Sequence, residues 1–108
     1  MLLHQYLEYF AREAPGHPCV RMGELAYDYA AANQRANRLA HACLEEGLSQ
    51  GDRVAWLSRN CIDQMLLFYA ASKAGVVPVP LNYRLAAPEW RYIINDSGAT
   101  VLVCEGEY

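Results

Sequence analysis

Among the side chains able to do chemistry, Arg84 is the one its surroundings single out. It follows Leu81-Asn82-Tyr83 in a loop just past a short predicted strand, and ligands of open α/β sheets bind beyond the carboxyl ends of the strands. A planar guanidinium grips a phosphate through two parallel hydrogen bonds. On spacing alone the commoner role is that of a surface or structural arginine bonded to loop carbonyls. The other reactive types fall into no constellation. His4, His17 and His41 lie beside no nucleophile signature and at no metal-ligand spacing. They read as surface or packing residues, His4 and His41 on helices and His17 in a proline-flanked turn. Ser58, Ser72 and Ser97 lack a nucleophile-elbow context, and the acidic residues are scattered, with Glu45-Glu46 a solvated helix end. No catalytic residue and no metal ligand is assigned.

Nucleotide chemistry is tested by glycine. The turn after the first core strand, Ser58-Arg59-Asn60-Cys61, contains none, and neither G-x-G-x-x-G nor G-x-x-x-x-G-K-[ST] occurs anywhere. A dinucleotide fold needs that turn so that backbone amides reach the pyrophosphate. A Rossmann dehydrogenase and a P-loop enzyme are thereby excluded. Cys19, Cys43, Cys61 and Cys104 form no C-x-x-C pair, so they are expected as plain buried or half-buried thiols. Unpaired cysteines point to a reducing, cytoplasmic compartment.

The elements that must position Arg84 come from periodicity. Val54 to Ser58 is an apolar run without alternation, as in a strand covered on both faces. Ser58 and Asn60 are both N-cap types for a helix carrying Ile62, Met65, Leu66, Tyr69 and Ala70, which Gly75 ends. Val76 to Pro80 is a second strand, and its prolines predict a short strand or a partly unpaired edge. A crossover of this length makes the two strands parallel. Pro88 opens a further helix with Trp90, Ile93 and Ile94 on its apolar face. Gly98 ends it, Thr100 to Cys104 is expected as a third buried strand, and residues 105–108 as a loop.

Ahead of this unit, Leu3, Leu7, Phe10 and Ala14 share one face of a helix over 2–14. Cys19 to Arg21 and Leu25 to Tyr27 make a hairpin. Asp28 caps a helix to Glu46 whose buried stripe is Ala32, Ala36, Leu39, Ala40, Cys43 and Leu44, with Gly47 and Leu48 closing it. The fold class is α/β: an open, mostly parallel sheet with flanking helices and a small N-terminal β-hairpin.

Length and composition agree. At 108 residues the chain is one small domain, and 54% hydrophobic residues argue against disorder. No apolar run approaches the roughly 20 residues that span a bilayer, and Met1-Leu2-Leu3 leads into no basic n-region. A net charge of −3 with Lys73 the single lysine excludes a nucleic-acid surface.

Several motifs recur in order along the chain. Leu25-Ala26-Tyr27 precedes Asn37-Arg38-Leu39-Ala40, and Gly47-Leu48-Ser49-Gln50-Gly51-Asp52-Arg53-Val54 follows. Asn60 comes after the strand. Then come Ala74-Gly75-Val76-Val77-Pro78-Val79-Pro80-Leu81-Asn82, Arg84-Leu85, Glu89, Ile93-Ile94 and Asp96-Ser97-Gly98-Ala99. In this order and spacing the chain resembles the N-terminal subdomain of the adenylate-forming superfamily. The Leu-Asn-x-Arg-Leu loop is most similar to that of fatty-acyl or aryl AMP-forming acyl-CoA synthetases. The resemblance implies that residues 1–108 are a single partial domain, the N-terminal segment of a synthetase large domain. It implies a carboxylate, ATP and CoA becoming acyl-CoA, AMP and pyrophosphate through an acyl-adenylate. ATP, Mg²⁺ and CoA are implied for the full-length enzyme and no cofactor for this segment, because the phosphate loop, ribose-binding aspartate and catalytic lysine of a typical member lie beyond residue 108. Arg84 is implied as a CoA phosphate contact in the intact enzyme. The implied partner is the remainder of the synthetase chain, and the segment alone is expected to self-associate and to be inactive. The alternatives are a stand-alone, non-catalytic α/β interaction module derived from the same fold and a small ligand-binding α/β domain of unrelated function.

Overall fold

The computed structural model describes residues 2–59 and 61–104. Asn60, one of the two expected caps, and the expected loop over 105–108 lie outside the described residues. The elements in chain order are α1 (Leu3–Glu13), β1 (Pro18–Met22), β2 (Leu25–Asp28), α2 (Tyr29–Glu45), β3 (Arg53–Leu57), α3 (Ile62–Ala74), β4 (Val77–Leu81), α4 (Ala87–Ser97) and β5 (Val101–Cys104). β1 and β2 form an antiparallel hairpin. The other three strands make a sheet in the order β4-β3-β5, parallel throughout.

β3 is central, and its residues Val54, Ala55, Trp56 and Leu57 are all buried. Side chains alternate across a strand, so each face receives two of them. Val54 and Trp56 pack with Cys43 of α2 and with Leu67 and Ala71 of α3. Ala55 and Leu57 pack with Leu81 and, on α4, with Trp90, Ile93 and Ile94. A third cluster joins Leu7 of α1 to Ala32 and Ala36 of α2 and to Ile62 and Leu66 of α3. The alanines let α2 approach α3 closely.

Local chemistry sets the boundaries. The Asp28 carboxylate accepts from the Ala31 amide at 2.8 Å and starts α2, a cap worth about 1 kcal/mol. At its other end the Leu48 amide reaches back to the Cys43 carbonyl at 3.3 Å across Gly47, and Leu48 is buried. Gly75 stands at φ +76°, and a Cβ there would sit 3.3 Å from the Gln50 side chain. The Val76 amide still bonds to the Ala71 carbonyl at 3.0 Å, which delays β4 to Val77.

Four expectations are corrected. Ser58 is not the cap of α3; Cys61 holds the cap position without a side-chain hydrogen bond. The Ser58 hydroxyl instead accepts from Trp56 Nε1 at 2.6 Å and donates to the Arg59 carbonyl at 2.8 Å. Leu44 leaves the buried stripe of α2 and is 50% exposed, because it sits one position, about 100°, round the helix from Cys43. β5 is not a buried strand: Leu102 is 45% and Val103 38% exposed, since β5 has a strand on one side only. Cys104 at its end is exposed rather than half-buried.

Two polar links tie the helical layer together. Arg35 of α2 donates from Nε to Asp63 Oδ1 at 2.9 Å and from Nη2 to Oδ2 at 2.7 Å. Asp63 lies in the first turn of α3, where a negative charge also complements the helix dipole. Lys73 Nζ lies 3.3 Å from Glu8 of α1, and the His4 amide donates to Ser72 Oγ at 3.2 Å, with His4 Nδ1 2.8 Å from the same oxygen.

The hydrogen bonds from Arg35 hold the Asp63 carboxyl below the ordinary carboxylate range, partly opposed by burial. A lowered folded-state pKa means that the pair stabilises the fold above the ordinary carboxylate pKa and that this contribution fades as pH falls through the folded value. Asp63→Asn is expected to cost about 1 kcal/mol at neutral pH, a figure kept small because both side chains are partly exposed. The gap between the two proteins should close on acidification. Urea unfolding midpoints at pH 7 and at about pH 3 check this; a gap independent of pH would refute it.

Candidate functional site

A cleft of about 420 Å³ opens beyond the carboxyl ends of β3 and β4, lined by Ser58, Gln64, Leu81, Asn82, Tyr83 and Arg84. It is the one place where the sequence-derived candidate Arg84 meets other polar side chains. The loop between β4 and α4 builds it through Asn82. The Asn82 side-chain oxygen accepts from the Arg84 amide at 2.9 Å, the local bond of an Asx-turn. Its backbone carbonyl accepts from the Leu85 amide at 3.1 Å and from Trp90 Nε1 at 2.8 Å. Glu89 closes the start of α4, its carboxylate accepting from the Ala86 amide at 3.0 Å. The β-strand end, the turn and the first helical turn are thus one hydrogen-bonded unit around Arg84.

The Arg84 guanidinium lies 5.5 Å from the centroid of the Tyr83 ring. Stacking of this kind orients a cation while leaving its N–H donors available. Arg84 is exposed, which suits a surface arginine as well as a ligand-binding one. Ser58 is buried beneath the cleft, its hydroxyl engaged by Trp56 and Arg59. The cleft can bind an oxyanion at Arg84. Among the described residues that line it there is no pair of nucleophile and general base.

The remaining candidates are dispersed. His4 and Ser72 meet at 2.8 Å between α1 and α3, and His4 Nε2 lies 3.7 Å from Oε1 of Glu8, which also pairs with Lys73; these contacts join the two helices. His17 Nδ1 lies 3.1 Å from the Pro18 carbonyl. The Ser97 hydroxyl donates to the Ile94 carbonyl at 3.1 Å at the end of α4. Burial pushes the Cys43 thiol up, and burial with the Asp28 charge pushes the Cys19 thiol up, which disfavours the reactive thiolate. Among the described residues no three His, Cys, Asp or Glu side chains converge on a metal position. No helix among them is long and apolar enough to cross a membrane. The bond by which Asn82 holds the Arg84 backbone was not anticipated from sequence; its signal was an asparagine two positions ahead of the arginine.

A second cleft, of about 630 Å³, lies between α2 and β5 and is lined by Leu39, Cys43, Val54, Trp56, Leu67 and the four residues of β5, among others. Its walls are mainly apolar, and Asp63 at its margin is already paired with Arg35.

The profile of the family described as AMP-binding enzyme matches residues 7–108. The long-chain-fatty-acid–CoA ligase FadD13 of Mycobacterium tuberculosis is 48% identical over 75 residues, 69% of this chain and 15% of its own length. The feruloyl-CoA synthase of Amycolatopsis is 41% identical over 98 residues, 91% of this chain and 20% of its own. The crystal structure of the N-terminal domain of FACL13 from Mycobacterium tuberculosis superposes with a TM-score of 0.92 at 37% identity, covering 96% of this chain and 27% of that one. The chain therefore spans a fifth or less of the length of these two curated relatives.

If Asn82 holds the loop, Asn82→Ala should loosen it without melting the domain. The lost bond is exposed, so the expected cost is at most about 1 kcal/mol. Amide hydrogen exchange should accelerate at Arg84 and stay unchanged in α3. Equal protection of Arg84 in both proteins would refute the assignment.

Proposed function

Because this chain belongs to the AMP-binding enzyme family, we propose that it is the N-terminal portion of an AMP-forming acyl-CoA synthetase. The observation that carries the reading is the match over residues 7–108, together with 48% identity to a ligase of which the chain spans 15%. In the longer protein a carboxylate oxygen attacks the α-phosphorus of ATP and pyrophosphate leaves. The CoA sulfur then attacks the acyl carbonyl and AMP leaves. The fatty-acyl and feruloyl specificities named for the two relatives favour a fatty or aryl acid.

Arg84 is proposed as the contact for a CoA phosphate. Its exposure, its stacking on Tyr83 and its place beyond the strand ends support that role. The Arg84 cleft fits an anionic group, and nothing among the described residues forms a cradle for a triphosphate or a site for Mg²⁺. ATP and Mg²⁺ are assigned to residues that follow in the longer chain. The 108 residues by themselves are proposed to be inactive and to associate with one another through apolar surface that later sequence would cover. Free thiols fit a reducing, cytoplasmic compartment.

An antibody against this segment should detect a native polypeptide several times larger than 12.1 kDa. A product near 12.1 kDa would replace the synthetase reading with that of a stand-alone interaction module. In the longer enzyme Arg84→Ala should raise the KM for CoA by about 10-fold or more, the loss of one charge-assisted contact, while acid-dependent pyrophosphate exchange is retained. An unchanged KM for CoA removes Arg84 from the thiol-donor site. Turnover of ATP and a carboxylate to acyl-AMP by the 108-residue chain alone would contradict the proposed division of labour.

A further inference from the structure

Asn82 fixes the backbone at Arg84 through a bond of 2.9 Å, and a backbone bond leaves a long side chain free to sweep. A rotamer-rich side chain that must be ordered by its ligand weakens binding by the freedom it loses. A guanidinium already held in place loses less. Tyr83 supplies this second constraint. Successive side chains of an extended strand point to opposite faces, so a guanidinium reaches the ring of the residue before it only where the chain turns. Residues 83 and 84 lie in that turn, with Arg84 Cζ 5.5 Å from the centroid of the Tyr83 ring.

The ring is itself anchored. Tyr83 is half-buried and packs against the cluster of Ala55, Leu57 and Leu81. Trp90 packs against the same cluster, and its indole is tied to the Asn82 carbonyl at 2.8 Å. Tyr83 also lines the cleft that Arg84 occupies. One side chain thus belongs both to the core and to the cleft. A leucine at this position would satisfy the core, whereas only an aromatic face attracts a cation through its quadrupole. Arg84, one residue further on, is exposed. Core, ring and guanidinium therefore follow one another outward.

We propose that Tyr83 is a positioning residue for the thiol donor: its core-anchored ring holds the Arg84 guanidinium in the orientation that receives a CoA phosphate. This rests on the reading of Arg84 as that contact and goes beyond it by giving the variable position of the Leu-Asn-x-Arg-Leu loop a role. Tyr83 acts through Arg84 rather than on the substrate. A cation–π contact at an exposed site corresponds to a factor of about 2 to 5 in affinity. Loss of the ring weakens the hold on CoA by that factor and leaves the steps that use the acid and ATP as they were.

Steady-state kinetics of the longer enzyme test it. Tyr83→Leu keeps an apolar side chain against the core and removes the ring. It should raise the KM for CoA by about 2- to 5-fold, with kcat, the KM for ATP and acid-dependent pyrophosphate exchange unchanged. Tyr83→Phe keeps the ring and should restore the parent KM. In an Arg84→Ala background Tyr83→Leu should add nothing, since the cation it positions is gone. An unchanged KM for CoA in Tyr83→Leu, an equal loss in Tyr83→Phe, a rise in the KM for ATP alongside that for CoA, or a full additional loss in the Arg84→Ala background would each overturn the proposal. The two readings fail differently. If Arg84→Ala alone leaves the KM for CoA unchanged, the CoA contact falls and the role of Tyr83 with it. If Arg84→Ala raises that KM and Tyr83→Leu does not, only the role of Tyr83 falls.

Discussion

The structure depends on the burial of β3 on both faces. Removing four consecutive side chains from water stabilises the fold by about 1.5–3 kcal/mol for each large one, but only if both faces are covered. Val54 and Trp56 require a layer on one side, and Ala55 and Leu57 a layer on the other. The chain meets this by sending α3 over one face on the way to β4 and α4 over the other on the way to β5. Crossovers between parallel strands are right-handed as a rule. Because β4 and β5 lie on opposite sides of β3, that rule places α3 and α4 on opposite faces. α2, braced to α3 by Arg35 and Asp63, widens the first layer.

The same topology fixes where a ligand can sit. With the strands parallel, all their carboxyl ends open on one side, and the chain passes through a loop there before each crossover helix. The loop after β4 carries Asn82 and Arg84, and the turn after β3 carries Ser58. Asn82 performs in side-chain chemistry what a glycine-rich turn performs in backbone chemistry in nucleotide folds: it fixes a tight turn at the strand end. The difference is what is presented. A glycine turn offers backbone amides to a pyrophosphate, whereas this one offers a single guanidinium on an aromatic shelf. That is one charged donor and no row of backbone amides.

Much of this was legible in the sequence because the determining signals were local. Asp28 as a cap, Gly47, Gly75 and Gly98 as helix ends, the prolines of β4 and the strand–helix alternation from residue 54 onward each act over a few residues, and each is found in place. The failures share a different cause. Thr100 to Cys104 has the composition of a buried strand, and composition reports what a segment needs, not what lies beside it. Leu44 sits one residue outside a stripe whose width depends on how closely α2 approaches α3. Ser58 was a plausible cap by residue type, but the Trp56 indole at 2.6 Å had a stronger claim on its hydroxyl.

The exposed strand and the Arg84 cleft are set by one fact, that a parallel sheet distributes its chemistry along its strand ends in chain order. The segment from β3 to β5 supplies three strand ends and one anchoring cation. A reaction that joins a carboxylate, ATP and a thiol needs at least a phosphate cradle, a cation to balance developing charge and a group oriented on the acyl carbon. Each requires its own strand end or helix terminus, and here those positions carry Ser58, committed to Trp56, Asn82, committed to the loop, and Cys104, exposed on an uncovered edge.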